Sequence, residues 1–273
     1  MIDRKDRVLH FARKEQLGLE IAPFHNPLAP KRDGWNCLCL DIYDEARLRA
    51  MAEASDDPFV RGNLANIEKV DVVAPAGDLH GAIDRLGCLG QFDYICSSHN
   101  FEHLPDPIRF LRDCGEVLKP GGYLSMAIPD KRKTLDYGRP LTGLKDLLEA
   151  WLTGRKQPSA FQLFEAESTL MRVDGEAREL TGDLGAAYEK LLARMSGFDY
   201  LDAHVSVFTR ESFMLLLAEL LILRLIPLRP VLVQSEGIEF FVHLRNDGYE
   251  RIASLRPRLL KVRSKLLQEA FRN

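Results

Sequence analysis

The sequence predicts an α/β fold, with a mostly parallel sheet and helices on both of its faces. Residues 91–130 carry the clearest evidence, because they follow the order strand, polar turn, helix, glycine turn, strand. Residues 92–96 form the short apolar run of a buried parallel strand. Apolar residues between positions 108 and 118 then recur at helical spacing, and a glycine pair ends that helix. The polar turn, residues 97–100, therefore lies at the carboxyl end of a strand, where open α/β sheets bind ligands.

Length and composition suit one large globular α/β domain or a domain with an insertion. The chain has 273 residues, of which 46% are hydrophobic and 28% charged. The formal net charge of -3 gives no overall basicity that would indicate a nucleic-acid partner. The five cysteines form no C-x-x-C pair, which is expected of buried, reduced thiols. The charged N-terminus is not a signal peptide, and the most apolar run, residues 213–228, is too short and too charged for a membrane span. We therefore expect a cytoplasmic protein without a transmembrane segment.

The same central segment resembles a known family. Its sequence, FDYICSSHNFEHLPDPIRFLRDCGEVLKPGGYLSMAIPD, is similar to the middle of class I S-adenosylmethionine-dependent methyltransferases, of the methyltransferase type 11-like kind. The similar elements are an FD strand, an EHL-x-D turn and an LKPGG turn before a strand. The resemblance covers residues 17–130 well and the terminal strands loosely. It implies a Rossmann-like, seven-stranded sheet with an antiparallel last strand pair, and S-adenosylmethionine as the cofactor.

The first strand and its loop follow a leading helix. Residues 3–15 predict a charged amphipathic helix, and residues 17–21 predict the first strand. The resemblance places the cofactor loop next, as an acidic residue followed by alternating glycines, but Phe24 and two other residues replace those glycines. We predict cofactor contacts from Glu20, Ala22, Pro23, His25 and Asn26. Two interpretations remain open: the loop still holds the cofactor, or binding has been lost and the fold survives as a scaffold. A nicotinamide enzyme is disfavoured, because its glycine-rich pyrophosphate loop is absent.

The second strand, residues 35–40, ends at Asp41. Asp41 lies about twenty residues past the first loop, the offset expected of a ribose contact. An ionised carboxylate only accepts hydrogen bonds and is therefore suited to two ribose hydroxyls. The alternative is a helix N-cap, a role that Asp44 fits better before the helix predicted over residues 45–54.

The third strand, residues 70–73, precedes a predicted helix over residues 79–86. The resemblance implies that Asp78 meets the adenine amino group and that Leu79 packs on the adenine ring. The alternative for Asp78 is a helix N-cap, and one carboxylate can serve both uses.

The turn after the fourth strand carries the candidate catalytic chemistry. Methyl transfer from a sulfonium is a direct displacement, in which positioning supplies much of the rate. His99 is the candidate base, since a neutral imidazole takes a proton from a hydroxyl or amine near neutral pH; the alternative is a structural histidine. Ser97 and Ser98 are predicted to form part of the cofactor wall. His99, Glu102 and His103 also match a metal-binding spacing, H-x-x-E-H. No metal is predicted, because the Glu-His pair recurs in family members without one.

Residues 131–203 are predicted to form a helical insertion that acts as a substrate lid. Helices are expected over residues 144–152, 161–171 and 184–195. His204, at the end of the insertion, either enters the site or is structural. Substrate contacts are predicted at His103, Asp130, Lys131 and Arg132.

Residues 204–246 are expected to complete a core domain with residues 1–130. A helix starts at Thr209, and two strands follow it. Residues 247–273 predict a basic amphipathic helix, which docks either on its own domain, on a partner or on an anionic membrane surface. The predicted function is methylation of an oxygen or nitrogen on a small-molecule or carbohydrate-like acceptor. The alternative is a catalytically inactive scaffold or regulatory protein.

Overall fold

Seven strands form one sheet in the computed structural model, which describes residues 3–270. Two more strands form a separate hairpin, and in chain order the strands are β1 (Gly18–Ile21), β2 (Cys37–Asp41), β3 (Val72–Val73), β4 (Phe92–Ser98), β5 (Leu118–Pro129), β6 (Met171–Asp174), β7 (Ala177–Leu180), β8 (Leu228–Glu236) and β9 (Glu239–Asn246). The main sheet has the order β3–β2–β1–β4–β5–β9–β8, and β6 pairs with β7 in a separate hairpin. The first five strands are parallel, whereas β9 runs antiparallel to both β5 and β8. The predicted fold class is confirmed.

Helices connect these strands and cover the sheet. They are α1 (Arg4–Val8), α2 (Glu45–Glu53), α3 (Pro58–Gly62), α4 (Leu79–Asp84), α5 (Pro107–Val117), α6 (Leu144–Leu152), α7 (Ala160–Ser168), α8 (Leu184–Arg194), α9 (Arg210–Ile222) and α10 (Gly248–Ala270). Asp44 caps α2 by accepting a hydrogen bond from the Arg47 N–H at 2.8 Å, as predicted. Thr209 and Ser212 form a capping box at the start of α9.

Both faces of the sheet are buried, which explains why its central strands are apolar at successive positions. On one face, Leu19 and Ile95 belong to the main core cluster with residues of α4, α5, α6 and α9. On the other face, Tyr94 and Cys96 pack in a second cluster that includes Val8 of α1. Strand β1 is buried along its whole length, so its carboxyl end opens between two packed layers.

Two sequence predictions were wrong in detail. The leading helix covers Arg4–Val8 only, not residues 3–15, because the chain turns so that Phe11 stacks on Tyr123 with ring centroids 4.4 Å apart. The insertion is not purely helical: α7 ends at Ser168, and the hairpin β6–β7 follows. Its two-residue turn is Gly175 and Glu176, and Gly175 has a φ of 56°, as the first position of a tight hairpin turn requires.

Helix α6 joins the main core, because Leu147 is fully buried in its cluster. The division of the chain at residues 131 and 203 stays a prediction.

The basic C-terminal helix docks on its own domain. Helix α10 packs along α9, with Ile252 fully buried and Arg263 2.8 Å from Glu219. Residues 271–273 of the predicted helix lie outside the described residues. None of the helices within residues 3–270 combines the length and apolarity needed to cross a bilayer.

Candidate functional site

A cavity of about 920 Å³ opens at the carboxyl edge of the sheet. The loop after β1 forms one wall, the end of β4 forms another, and the β8–β9 turn and α1 complete it. Because β9 is antiparallel to β5, its first residue, Glu239, pairs with Pro129 and so reaches this edge. The lining includes Glu20, Ala22, Pro23, Phe24, His25, Asn26, Ser98, His99 and Glu239. The volume is within the range of small-molecule and cofactor sites.

The loop after β1 keeps a glycine-like backbone without glycines. Ala22 has a φ of 51° and Phe24 a φ of 43°, both in the left-handed region that glycine adopts most readily. Such conformations cost about 1–3 kcal/mol each and persist where neighbouring contacts impose them. Here the Ala22 N–H donates to the Leu40 carbonyl at 2.8 Å, and the His25 ring lies between Phe24 and Phe59. The loop backbone is therefore held in place although the sequence signature is altered.

Glu20 forms hydrogen bonds to the backbone that follows this loop. Its carboxylate accepts hydrogen bonds from the N–H groups of Leu28 at 2.6 Å and Ala29 at 3.0 Å. Burial raises the pKa of Glu20 to about 7, against the opposing effect of those two bonds. Both oxygens already have backbone partners, so Glu20 acts on the shape of the loop. His25 is half-buried, and burial lowers its pKa.

The predicted ribose and adenine contacts lie at the carboxyl ends of β2 and β3. Asp41 is 4% exposed and accepts from the Tyr43 N–H at 3.2 Å, and burial raises its pKa. Asp78 is partly exposed, with Oδ2 3.5 Å from Arg85, and makes no capping bond. The Leu79 side chain has no exposed surface, so it has none to offer an adenine ring. None of these three residues is among the described lining of the cavity, and their roles stay predictions.

His99 is held by a carboxylate that the sequence analysis did not identify. Its Nε2 lies 2.8 Å from Glu239 Oε2, and its backbone has a φ of 48°. A carboxylate only accepts, so Nε2 is the donor, and in the neutral ring Nδ1 has the free lone pair. Arg4 donates to Glu239 through Nε at 2.7 Å and Nη2 at 2.8 Å, and to Ser98 Oγ at 2.6 Å. Burial alone would raise the pKa of Glu239, but the hydrogen bonds from His99 and Arg4 outweigh it and lower that pKa.

Neither Arg4 nor Glu239 could be found from local sequence patterns. The two residues are 235 positions apart, and only the antiparallel return of β9 brings Glu239 to this edge. Arg7, one turn after Arg4, pairs with Glu236 at the same β8–β9 turn. Two ion pairs therefore join helix α1 to the β8–β9 turn at the cavity.

The other predicted contacts lie beside the cavity, outside its described lining. Asp130 is buried and accepts from Arg132 at 2.9 and 2.6 Å, so the two charges largely neutralise each other. Burial lowers the pKa of Lys131. Ser97 is buried, and its hydroxyl has no hydrogen-bond partner among residues 3–270. His103 has Nδ1 2.9 Å from Asp202 of the insertion.

The strand order, the antiparallel return and the cavity at the carboxyl edge define a Rossmann-like protein of the methyltransferase type. The family model described as "Methyltransferase domain" matches residues 18–220, which is most of the chain. The chain belongs to this family, whose members are enzymes that take the methyl group from S-adenosylmethionine. The family, enzyme and cofactor predictions from the sequence are thereby confirmed.

Two curated relatives are similar over part of the chain. A "Ubiquinone biosynthesis O-methyltransferase" from Caulobacter vibrioides is 29% identical over 110 residues, which are 39% of this chain and 41% of the relative. A protein of the same name from Marinobacter nauticus is 31% identical over 94 residues, or 34% of this chain and 39% of the relative. The matched segments thus span about two-fifths of these relatives' length.

Solved structures of similar fold include a "SAM dependent methyltransferase" from Aquifex aeolicus. It is 14% identical, with a TM-score of 0.44, and the alignment covers 89% of each chain. A "SAM-dependent methyltransferases" structure from Methanosarcina mazei is 16% identical, with a TM-score of 0.45, covering 90% of this chain and 99% of that one.

Proposed function

We propose that this chain transfers a methyl group from S-adenosylmethionine to a hydroxyl oxygen of a small-molecule acceptor. The observation that carries the proposal is the cavity of about 920 Å³, which joins the loop after β1 to the His99–Glu239 pair. The two curated relatives are named for O-methylation, which supports oxygen over nitrogen as the acceptor atom.

The residues present fit the cofactor. The left-handed backbone at Ala22 and Phe24 takes the place of glycines that would let N–H groups approach a ligand. Asp41 ends β2, and Asp78 follows the neighbouring β3 in the turn before α4; at these places carboxylates can accept hydrogen bonds from ribose hydroxyls and an adenine amino group. When bound, the cofactor supplies an electrophilic methyl group on a positively charged sulfur. Of the remaining sequence-based assignments, Glu20, Pro23, His25, Asn26 and Ser98 would form the surrounding wall of the proposed cofactor site, and Ser97 lies beside that wall.

His99 acts as the base in this proposal. Since Nε2–H donates to Glu239, Nδ1 is the nitrogen that accepts the acceptor's hydroxyl proton. Protonation makes the ring a cation, and the ionised Glu239 stabilises that cation across 2.8 Å. Arg4 holds the two oxygens of Glu239 in a bidentate pair and so fixes the orientation of the ring. Proton removal and positioning are then supplied by one connected group of side chains.

Acceptor specificity is assigned to the insertion and to the residues beside it. Lys131 and the Asp130–Arg132 pair follow β5 at the same edge of the sheet and are suited to a polar or anionic acceptor. Two finer sequence-based predictions accompany this proposal: a carbohydrate-like acceptor and a cytoplasmic location. Because α10 packs along α9, docking on a partner or membrane surface would fall to the face of α10 that is turned away from α9.

A methylation assay tests the proposal. The purified protein is incubated with methyl-labelled S-adenosylmethionine and matched acceptors that carry a phenolic hydroxyl, a primary amine or a sugar hydroxyl. We expect label in the phenolic acceptors and formation of S-adenosylhomocysteine, with turnover strongly reduced in His99→Asn. Labelling of the amine alone would overturn the assignment of oxygen as the acceptor atom, whereas label on the sugar hydroxyl would identify the carbohydrate-like acceptor. A folded protein that binds no cofactor would support the inactive scaffold instead.

A further inference from the structure

Glu102 is a buried carboxylate whose charge has no hydrogen-bond partner in the described chain. Its side chain is 1% exposed, and neither oxygen accepts a hydrogen bond from residues 3–270. Burying such a group costs free energy unless a proton, a cation or an ordered polar partner compensates it. A proton, an ordered water or a bound cation would each compensate this carboxylate, and the side chains around it favour one of them.

Three histidines lie near this carboxylate, and two of them, from different parts of the chain, form a cluster with it. His204 Nε2, at the end of the insertion, lies 4.0 Å from Glu102 Oε1. His103 follows Glu102 directly, and donor atoms from the three residues all lie within 4.8 Å of one another. The two histidine rings are 19% and 26% exposed, so the cluster is open to solvent on one side.

A second layer of carboxylates orients both rings. His204 Nδ1 lies 2.6 Å from Asp136 Oδ2, and His103 Nδ1 lies 2.9 Å from Asp202 Oδ1. Because a carboxylate only accepts, each Nδ1 is the donor, and in the neutral form of each ring Nε2 keeps its lone pair. This is the arrangement that metal-binding histidines adopt, since the outer carboxylate fixes the tautomer and strengthens the ligand nitrogen.

We propose that Glu102, His103 and His204 bind a divalent transition-metal ion of the zinc class. Two imidazole nitrogens and one carboxylate suit Zn²⁺, Co²⁺ or Fe²⁺ better than Mg²⁺ or Ca²⁺, which prefer all-oxygen sites. Three protein ligands leave further coordination positions on the ion. The donors, which lie within 4.8 Å of one another, would draw together by up to about 1.5 Å to surround a tetrahedral Zn²⁺ with bonds of about 2.0–2.1 Å.

The ion would tie the insertion to the turn that carries His99. The Glu102 carbonyl accepts hydrogen bonds from the N–H groups of Val205 at 2.8 Å and Ser206 at 3.1 Å. These bonds already join the backbone of the turn to the backbone that follows the insertion. His99 Nδ1 lies 3.8 Å from Glu102 Oε1. The metal site therefore adjoins the candidate base, and its occupancy would fix the end of the insertion relative to it.

Metal titration tests this inference without an activity measurement. Protein stripped with a chelator is titrated with Co²⁺, whose visible absorption reports its ligands, and with Zn²⁺ by calorimetry. We expect one ion per chain, bound at micromolar Kd or tighter. Glu102→Gln and His204→Asn should each weaken binding by about 100-fold or more, and the outer variant Asp202→Asn by about 10–100-fold.

The matched control is His80→Asn, which removes a partly exposed histidine paired with Glu116 on another face of the protein. It should leave the Zn²⁺ affinity unchanged. The proposal would be overturned if the wild-type protein bound no metal. It would also be overturned if the folded variants Asp202→Asn and His204→Asn bound Zn²⁺ as tightly as wild type. In either case a shared proton would compensate the charge of Glu102. Because binding is measured directly, the result does not depend on the methylation assay.

Discussion

Replacing Arg139 with methionine should destabilise the protein by about 3–5 kcal/mol. The Arg139 side chain is only 1% exposed and lies near the start of the insertion. It donates to Asp136 at 2.9 Å and to the His204 carbonyl at 2.7 Å, and it reaches Glu165 of α7 at 3.1 and 3.0 Å. One buried guanidinium therefore holds the start, the middle and the end of the insertion together.

The magnitude follows from what the substitution leaves behind. Methionine keeps most of the apolar stem but removes every donor, so Asp136, with 3% exposure, loses a charged partner and keeps only His204. Removing one partner of a buried ion pair typically costs about 3–5 kcal/mol, because the other charge stays buried. Glu165 is 35% exposed and can turn to water, so it adds little to this cost.

Urea denaturation of wild type and variant measures the change in the free energy of unfolding. The matched control is Arg172→Met, which breaks an arginine–glutamate pair in the β6–β7 hairpin whose side chains are 69% and 62% exposed. That control should cost no more than about 1 kcal/mol. If Arg139→Met costs no more than Arg172→Met, the buried network does not stabilise the insertion.

Three further predictions concern the proposed catalytic group and its pH dependence. His99→Asn should lower turnover by about 100-fold or more with little change in cofactor Kd; equal turnover would leave positioning as the mechanism. Glu239→Gln should lower turnover by about 10–100-fold, from the loss of a charge-assisted hydrogen bond worth about 1.5–3 kcal/mol; an unchanged kcat would remove the orienting role of Glu239. Burial favours a higher pKa for Asp136, but hydrogen bonds from His204 and Arg139 outweigh it and hold that pKa below its ordinary value. Ionised Asp136 therefore contributes its full stabilisation at pH values above its ordinary pKa, and this contribution is lost as the pH falls through the lowered pKa. In Asp136→Asn, the free energy of unfolding should consequently fall less steeply as the pH is lowered.

Most of the fold could be predicted from local patterns. The apolar strand runs, the capping residues Asp44 and Thr209, and the helix over residues 144–152 depend on interactions within a few positions of one another. The predicted leading helix is longer than the observed one, because the chain leaves the helix to pack Phe11 on Tyr123, which is a tertiary contact. Local periodicity does not report such a contact.

The candidate site was harder to predict for the same reason. His99 was identified from its place after a strand, but its partner Glu239 is 140 positions away. The loop after β1 was ambiguous because residue types at Ala22 and Phe24 argue against a glycine loop, whereas their backbone angles preserve one. The sequence leaves two roles open for His204, in the site or in the structure. Its partners Asp136 and Glu102 are distant in sequence and approach it only when the insertion folds.

Calorimetric titration of S-adenosylmethionine into the purified protein tests the central claim most directly. Asp41→Asn is compared with Asp44→Asn, a matched change three positions away in the exposed cap of α2. The account predicts one site in wild type, with affinity about 10–100-fold weaker in Asp41→Asn, as expected for the loss of a charged acceptor worth about 1.5–3 kcal/mol. Asp44→Asn should bind like wild type. A folded wild-type protein that takes up no cofactor at millimolar concentration would contradict the account.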